Sequence, residues 1–210
     1  MIGYGTSEGS RRTLAVMRLH GWRLLLTPDH PKLYEGFRYG LDNGAWSYHR
    51  RGVSFDCERF KGLVERYGAG ADFVVMPDIV EGGDRSLGFS LSWHEYLKPL
   101  RLLLLPLQDG VSADLVGRVL RAYPNVGLFL GGSTAWKLRE IYAWGLVAHS
   151  HGRYYHIGRV NSLKRIRLAM EAGAHSFDGT GATRYGSRDV PLLESGIRQP
   201  HLFSAGSEVL

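Results

Sequence analysis

The chain has little cysteine: Cys57 is the only one in 210 residues. One thiol cannot close a disulfide within the chain, and no four-ligand cysteine zinc site can be built from it. A reducing, cytoplasmic setting is therefore expected. Long apolar runs are missing too. The longest, LLLLPL from Leu102, is far short of the about 20 residues that span a bilayer, so no membrane partner is expected. The N-terminus lacks the cationic, apolar and small-residue series of a signal peptide. Dense metal motifs are also lacking. The histidines include His149 and His151 in HSH, which read as a solvated loop, and none forms an HExxH pair. No metal is expected. No linker, internal repeat or low-complexity tract divides the chain, so residues 1–210 read as one domain.

What is present is a globular composition. Hydrophobic residues make up 44% of the chain, enough to bury a sizeable core. The net charge is +6, which is compatible with a polyanionic partner without demanding one. Arginine dominates the basic set, and its planar fork suits phosphate better than a lysine-rich solubility surface would.

Short apolar runs alternate with amphipathic stretches. The runs are RLLLTP, YGLDNGA, DFVVMPD, LLLLPLQDG, VGLFLGG, RYYHIG and HSFDGT. Between them, Phe55 to Tyr67 places Phe60, Leu63, Val64 and Tyr67 at helical spacing. Ser112 is placed to cap a helix over Ala113 to Ala122, Ser133 or Thr134 one that runs through Trp144, and Ser162 one over Leu163 to Ala172 that Gly173 stops. Nearly continuous apolar strands alternating with helices predict a parallel sheet buried on both faces. An N-terminal strand at Ile2 to Gly5, with a helix ending near Gly21, makes eight strands, the number a (β/α)8 TIM-type barrel needs. HLFSAG near the C-terminus competes for the eighth place, and a doubly wound open sheet is the alternative architecture.

Polar or glycine residues follow the C-terminal end of almost every run: Asp42-Asn43-Gly44, Pro77-Asp78, Gln108-Asp109-Gly110, Gly131-Gly132-Ser133, Gly158-Arg159 and Asp178-Gly179. In a parallel barrel those ends share one rim, where ligands bind. Each aspartate has an ordinary structural reading. Asp178 before Gly179 suits an N-cap or Asx turn, Asp-Asn-Gly at Asp42 suits a hairpin, and Asp78 after Pro77 suits a strand-end turn. Three on one predicted rim are harder to explain as turns. Carboxylates around a pocket serve as a metal site, a glycosidase pair, or a nucleophile with a general acid/base. Paired glycines at Gly131 and Gly132 allow close backbone approach to a flat ligand or an anion, and Gln108 has both the donor and the acceptor needed to read a base edge. Thr180 to Arg188 reads as a site loop.

The segment YYHIGRVNSLKRIRLAMEAGAHSFDGTGATR resembles the part of tRNA-guanine transglycosylases that carries the catalytic nucleophile. LDNGAW looks like that family's Asp-Ser-Gly-Gly motif. VVMPDIV, PLQDG and LFLGG fall in the order of its base-binding aspartate, glutamine and paired glycines. The resemblance covers roughly Leu41 to Gly186. The tRNA enzymes carry a zinc subdomain with three cysteines and a histidine, whereas no cysteine follows Cys57 here. DNGAW and DGTG also depart from the tRNA enzymes' wording. The chain is most similar to the compact relatives, found in phages and bacteria, that insert 7-deazaguanines into DNA.

The resemblance implies a compact barrel without the zinc subdomain, acting in the cytoplasm (the host's, if phage-encoded), without a cofactor. It implies Asp178 as nucleophile, Asp42 as the second catalytic carboxylate, and Asp78, Gln108, Gly131, Gly132, Asn43 and Gly158 as base-binding residues. It further implies a DNA partner, single-stranded or with a flipped guanine, and a 7-deazaguanine base such as 7-cyano-7-deazaguanine. Arg159, Lys164, Arg165, Arg184 and Arg188 are candidate phosphate contacts. The alternatives are the same exchange on tRNA, base removal without replacement, a TIM-barrel enzyme acting on a phosphorylated metabolite, and a non-catalytic nucleic-acid-binding module.

Overall fold

The sheet closes on itself. In a computed structural model, which describes residues 1–179 and 189–198, eight strands form a closed barrel in sequence order. They are β1 (Ile2–Thr6), β2 (Arg23–Leu26), β3 (Tyr39–Leu41), β4 (Val74–Val75), β5 (Leu103–Leu107), β6 (Val126–Leu130), β7 (Tyr155–Ile157) and β8 (Ser176–Asp178). Every neighbouring pair is parallel, and β1 closes the ring by pairing Ile2 with Ser176 and Tyr4 with Asp178. The chain thus adopts a (β/α)8 TIM-type fold, and the open sheet is excluded. The first strand is the N-terminal one. HLFSAG lies outside the described residues.

The covering helices are α1 (Arg11–Leu19), α2 (Ala45–Arg51), α3 (Cys57–Tyr67), α4 (Asp84–Ser92), α5 (His94–Leu97), α6 (Ala113–Ala122), α7 (Thr134–Ser150), α8 (Leu163–Glu171) and α9 (Asp189–Arg198). Five begin at a side-chain cap: the oxygens of Ser10, Asp56, Ser112, Ser133 and Ser162 each accept the backbone N–H three residues on. α7 runs on past Trp144 to Ser150, so His149 lies in its last turn and His151 at its C-cap, not in a loop. His149 meets the Gly173 carbonyl through Nε2 at 3.0 Å.

Two apolar cores result. The larger lies between barrel and helices, with Leu24, Leu26, Leu103, Leu105, Leu128 and Phe177 facing outward against α-helical residues such as Met17, Phe60, Leu120 and Ile166. The smaller fills the barrel and contains Tyr4, Leu25, Phe73, Val75 and Leu104. Alternate strand residues point to opposite faces, so each strand serves both cores. At the N-terminal end of the barrel, Asp72 accepts hydrogen bonds from Tyr4 and Arg23 at 3.0 and 2.9 Å and a fork from Arg38. That charged plug leaves the C-terminal mouth as the open end.

Leu104 is fully buried at the centre of the inner core. Leu104→Ala is expected to lower unfolding free energy by about 2–5 kcal/mol in urea denaturation, because closed strands cannot collapse onto the cavity. A loss below about 1 kcal/mol would mean that the inner layer is loosely packed.

Candidate active site

Strand parity builds the mouth. Phe129, His156 and Ser176 lie two residues before Gly131, Gly158 and Asp178 on β6, β7 and β8, so each pair shares the inward face. Gly131 lines the pocket, whereas Gly158, expected to contact the base, does not and instead leaves room beside Asp178. A Cβ on Gly158 would lie 2.7 Å from the Phe129 ring and 3.4 Å from Asp178 Oδ2, so the position requires glycine. The resulting pocket of about 180 Å³ has Leu25, Val75 and Phe129 among its apolar lining and Asp42, Asp78 and Asp178 among its polar lining. Asn43, Gln108, Gly131, Gly132 and Arg159 also line it.

Asp178 is clasped from two sides. His156 meets its Oδ2 through Nε2 at 3.0 Å, and the Arg159 backbone N–H donates to its Oδ1 at 3.0 Å. Its side chain remains 13% exposed while that of His156 is fully buried. His156 is held in turn by Ser176 Oγ on Nδ1 at 2.7 Å, and its ring stacks on Phe129 with centroids 4.9 Å apart. Sequence reading missed His156, whose signal is a polar residue two positions before Gly158 on a strand otherwise buried.

Asp42 accepts the Gly44 N–H on Oδ1 at 2.8 Å, an Asx turn leading into α2. The hairpin reading fails because β3 continues through helices to a parallel neighbour, β4. Burial pushes the Asp42 carboxyl up to about 7, the charges of Asp178 and Asp78 add to the shift, and the Gly44 N–H and Arg159 oppose it. Asp78 accepts Asn43 Nδ2 on Oδ1 at 2.7 Å and Gln108 Nε2 on Oδ2 at 2.5 Å. Burial pushes its carboxyl up to about 6, against those two amides and Arg159.

Other candidates have specific duties. Gln108 donates to Asp78 and accepts the Glu81 N–H on Oε1 at 3.2 Å, so it orients Asp78 and one lone pair of its acceptor is engaged. The Gly131 N–H donates to the Leu107 carbonyl as part of the barrel, so it is not offered to a ligand. Gly132, at φ 61°, turns the chain into α7, and its carbonyl accepts the Arg159 guanidinium. Arg159 also lies over the Trp46 ring at 4.2 Å, so this side chain spans the mouth. Trp46 is 44% exposed beside the pocket and was not singled out from sequence, although it directly follows the DNGA turn. Lys164 is exposed and Arg165 half-buried in the first turn of α8. Arg184, Arg188 and the loop from Thr180 lie outside the described residues. Among the described residues no His, Cys, Asp or Glu cluster could hold a metal.

Lys137 is a further residue that sequence reading passed over. It sits one position after Trp136 near the start of α7, is 3% exposed, and donates through Nζ to the Gly158 carbonyl. Burial, with Arg159 nearby, pulls its ammonium down to about 7, while Asp178 opposes the shift.

The fold and the site define a (β/α)8-barrel protein whose C-terminal mouth holds three carboxylates around a small, apolar-floored pocket. No protein-family model matches the chain, and no curated protein matches its sequence. No helix among the described residues is long and apolar enough to cross a membrane.

The Asp42 shift has a consequence for stability. Its folded value lies above the roughly 3.9 of an unfolded aspartate, so the folded state binds the proton more tightly. Stability contributed by this group is present below about pH 4 and is lost as pH rises to about 7. Asp42→Asn keeps the acceptor for Gly44 and removes the charge. The variant is expected to be roughly 2–4 kcal/mol more stable than wild type at pH 8, with the gain fading at pH 4, as read by urea melts at both values. An equal effect at both values would contradict the burial of this charge.

Proposed function

We propose that the chain is a base-exchange transglycosylase that replaces guanine in DNA with a 7-deazaguanine through a covalent aspartyl-glycosyl intermediate. The observation that carries this reading is the convergence of Asp178, Asp42 and Asp78 on one pocket of about 180 Å³. That volume is below the roughly 300–1,000 Å³ of drug-sized sites and suits a single flat ring system.

The steps assign one task to each carboxylate. Asp178 attacks C1′ through an oxygen, the C1′–N9 bond breaks, and its electron pair leaves with guanine. Asp42, with a pKa near 7, is protonated in a substantial fraction at neutral pH and donates its proton to the departing purine. The now ionised Asp42 takes the proton of the incoming 7-deazaguanine, whose freed nitrogen attacks C1′ and expels the Asp178 carboxylate. Two displacements retain the anomeric configuration. Asp78 keeps lone pairs beyond those used by Asn43 and Gln108, and these meet guanine N1–H and the exocyclic amine together. Adenine offers an acceptor where guanine offers N1–H, so it is rejected. The apolar floor of Leu25, Val75 and Phe129 supplies a face for the ring. Of the glycine pair, Gly132 is left as the candidate amide for the base carbonyl. A base in a duplex must leave the stack to reach this depth.

Three carboxylates facing one guanidinium make a poor seat for a phosphorylated metabolite, whose phosphate would meet like charge. Phosphates belong outside the mouth, near Arg159, Lys164 and Arg165.

The test is incorporation of labelled guanine or 7-cyano-7-deazaguanine into DNA or tRNA. Wild type is expected to label DNA, and Asp178→Ala and Asp178→Asn to lose at least about 1,000-fold in rate. Labelling of tRNA alone, or activity surviving in both variants, would overturn the reading. DNA affinity is expected to fall about 10-fold or more between 50 and 200 mM salt. Flat affinity over that range would remove the nucleic-acid partner.

A further inference from the structure

A lysine ammonium rarely enters a core, because it loses its water shell on burial. Methionine would fill a similar volume at position 137 without that cost. Lys137 lies behind the pocket wall, and its Nζ bonds to one peptide unit in particular. The Gly158 carbonyl accepts from Lys137, and the N–H of the same Gly158–Arg159 peptide donates to Asp178 Oδ1. In a trans peptide these two groups point in opposite directions. Lys137 and Asp178 therefore sit on opposite sides of one plane and fix its orientation together.

That orientation is not the relaxed one. Arg159 has φ 58°, in the left-handed region that residues with a side chain seldom enter. Turning the peptide over would carry this φ back to negative values and aim the carbonyl oxygen at Asp178. The flipped form would replace a donor by a negative dipole at the carboxylate. Strain of this kind persists only where neighbours over-determine it. The Arg159 side chain, tied to Gly132 and Trp46, holds the outer end, and Lys137 holds the inner end.

We infer that Lys137 is a positioning residue that locks the Gly158–Arg159 peptide with its N–H toward Asp178. The catalytic consequence rests on the transglycosylase reading: a carboxylate whose Oδ1 is fixed presents its remaining lone pairs to C1′ in one direction. The lock itself stands on the geometry alone.

The test uses the full chain and two readouts. Hydrogen exchange of the Arg159 amide is compared in wild type, Lys137→Met and Lys137→Arg, with amides of β5 and β6 as folding controls. Lys137→Met is expected to speed Arg159 exchange by about 10-fold or more while the controls stay protected, and Lys137→Arg, which keeps a cationic donor, to restore protection. If Lys137→Met does not fold, Lys137→Gln, uncharged and shorter by one bond, is read the same way. The second readout is guanine exchange on DNA. There kcat is expected to fall about 10- to 100-fold in Lys137→Met with KM for guanine changed less than about 2-fold. Arg159 protection unchanged in the variant would overturn the lock, and a change confined to KM would overturn its catalytic consequence. If wild type exchanges no guanine but the amide responds as described, the functional reading fails and the lock stands.

Discussion

The site depends on crowding of like charge. Asp42, Asp78 and Asp178 share one pocket, with the Arg159 guanidinium spanning its mouth. Three full negative charges around one pocket are unfavourable, so protons and donors must compensate. Asp178 receives two donors, from His156 and the Arg159 amide. Asp78 receives two amides. Asp42 receives one backbone N–H, and burial pushes its carboxyl up to about 7. Donors are thus distributed unequally, two each on Asp178 and Asp78 and one on Asp42.

That distribution comes from the barrel. Inward positions two residues apart on β7 and β8 place His156 and Ser176 in a layer directly beneath Gly158 and Asp178. The lower layer is packed with rings: His156 contacts Tyr4, Phe73 and Phe129. Such packing allows the imidazole little freedom to leave Asp178. The glycines above give up side-chain volume to create the pocket. The plug around Asp72 closes the far end, so rigidity and access are divided between the two ends of one sheet, as barrels of this type divide them.

Much of this was legible in the sequence. Strands buried on both faces read as near-continuous apolar runs, and seven of the eight lie where those runs lie; the eighth is the N-terminal Ile2–Thr6, which lacks such a run. The three aspartates were visible because a strand that ends in Asp or Gly marks a rim. α2 was hidden behind Asp-Asn-Gly, which reads equally well as a hairpin turn. α4 was hidden because GGDRSLGFSLS carries glycine and serine in place of a clear apolar stripe. Lys137 and His156 were the harder omissions. Lys137 stands between Trp136 and Leu138 and reads like a surface lysine, since its partner Gly158 is contributed by a strand 21 residues on. His156 takes its meaning from Ser176 and Asp178 on the next strand. Roles fixed by strand register cannot be read from local pattern.

The proposed exchange reduces to one bond between Asp178 and a sugar carbon. Mixing the protein with guanine-containing DNA in the absence of free base, quenching in denaturant and mapping the adduct by mass spectrometry tests that bond directly. The base-free deoxyribose, still part of its DNA strand, is expected as an ester on the tryptic peptide 168–184, at Asp178. An adduct at Asp42, or exchange of bases with no adduct at any time point, would contradict the account.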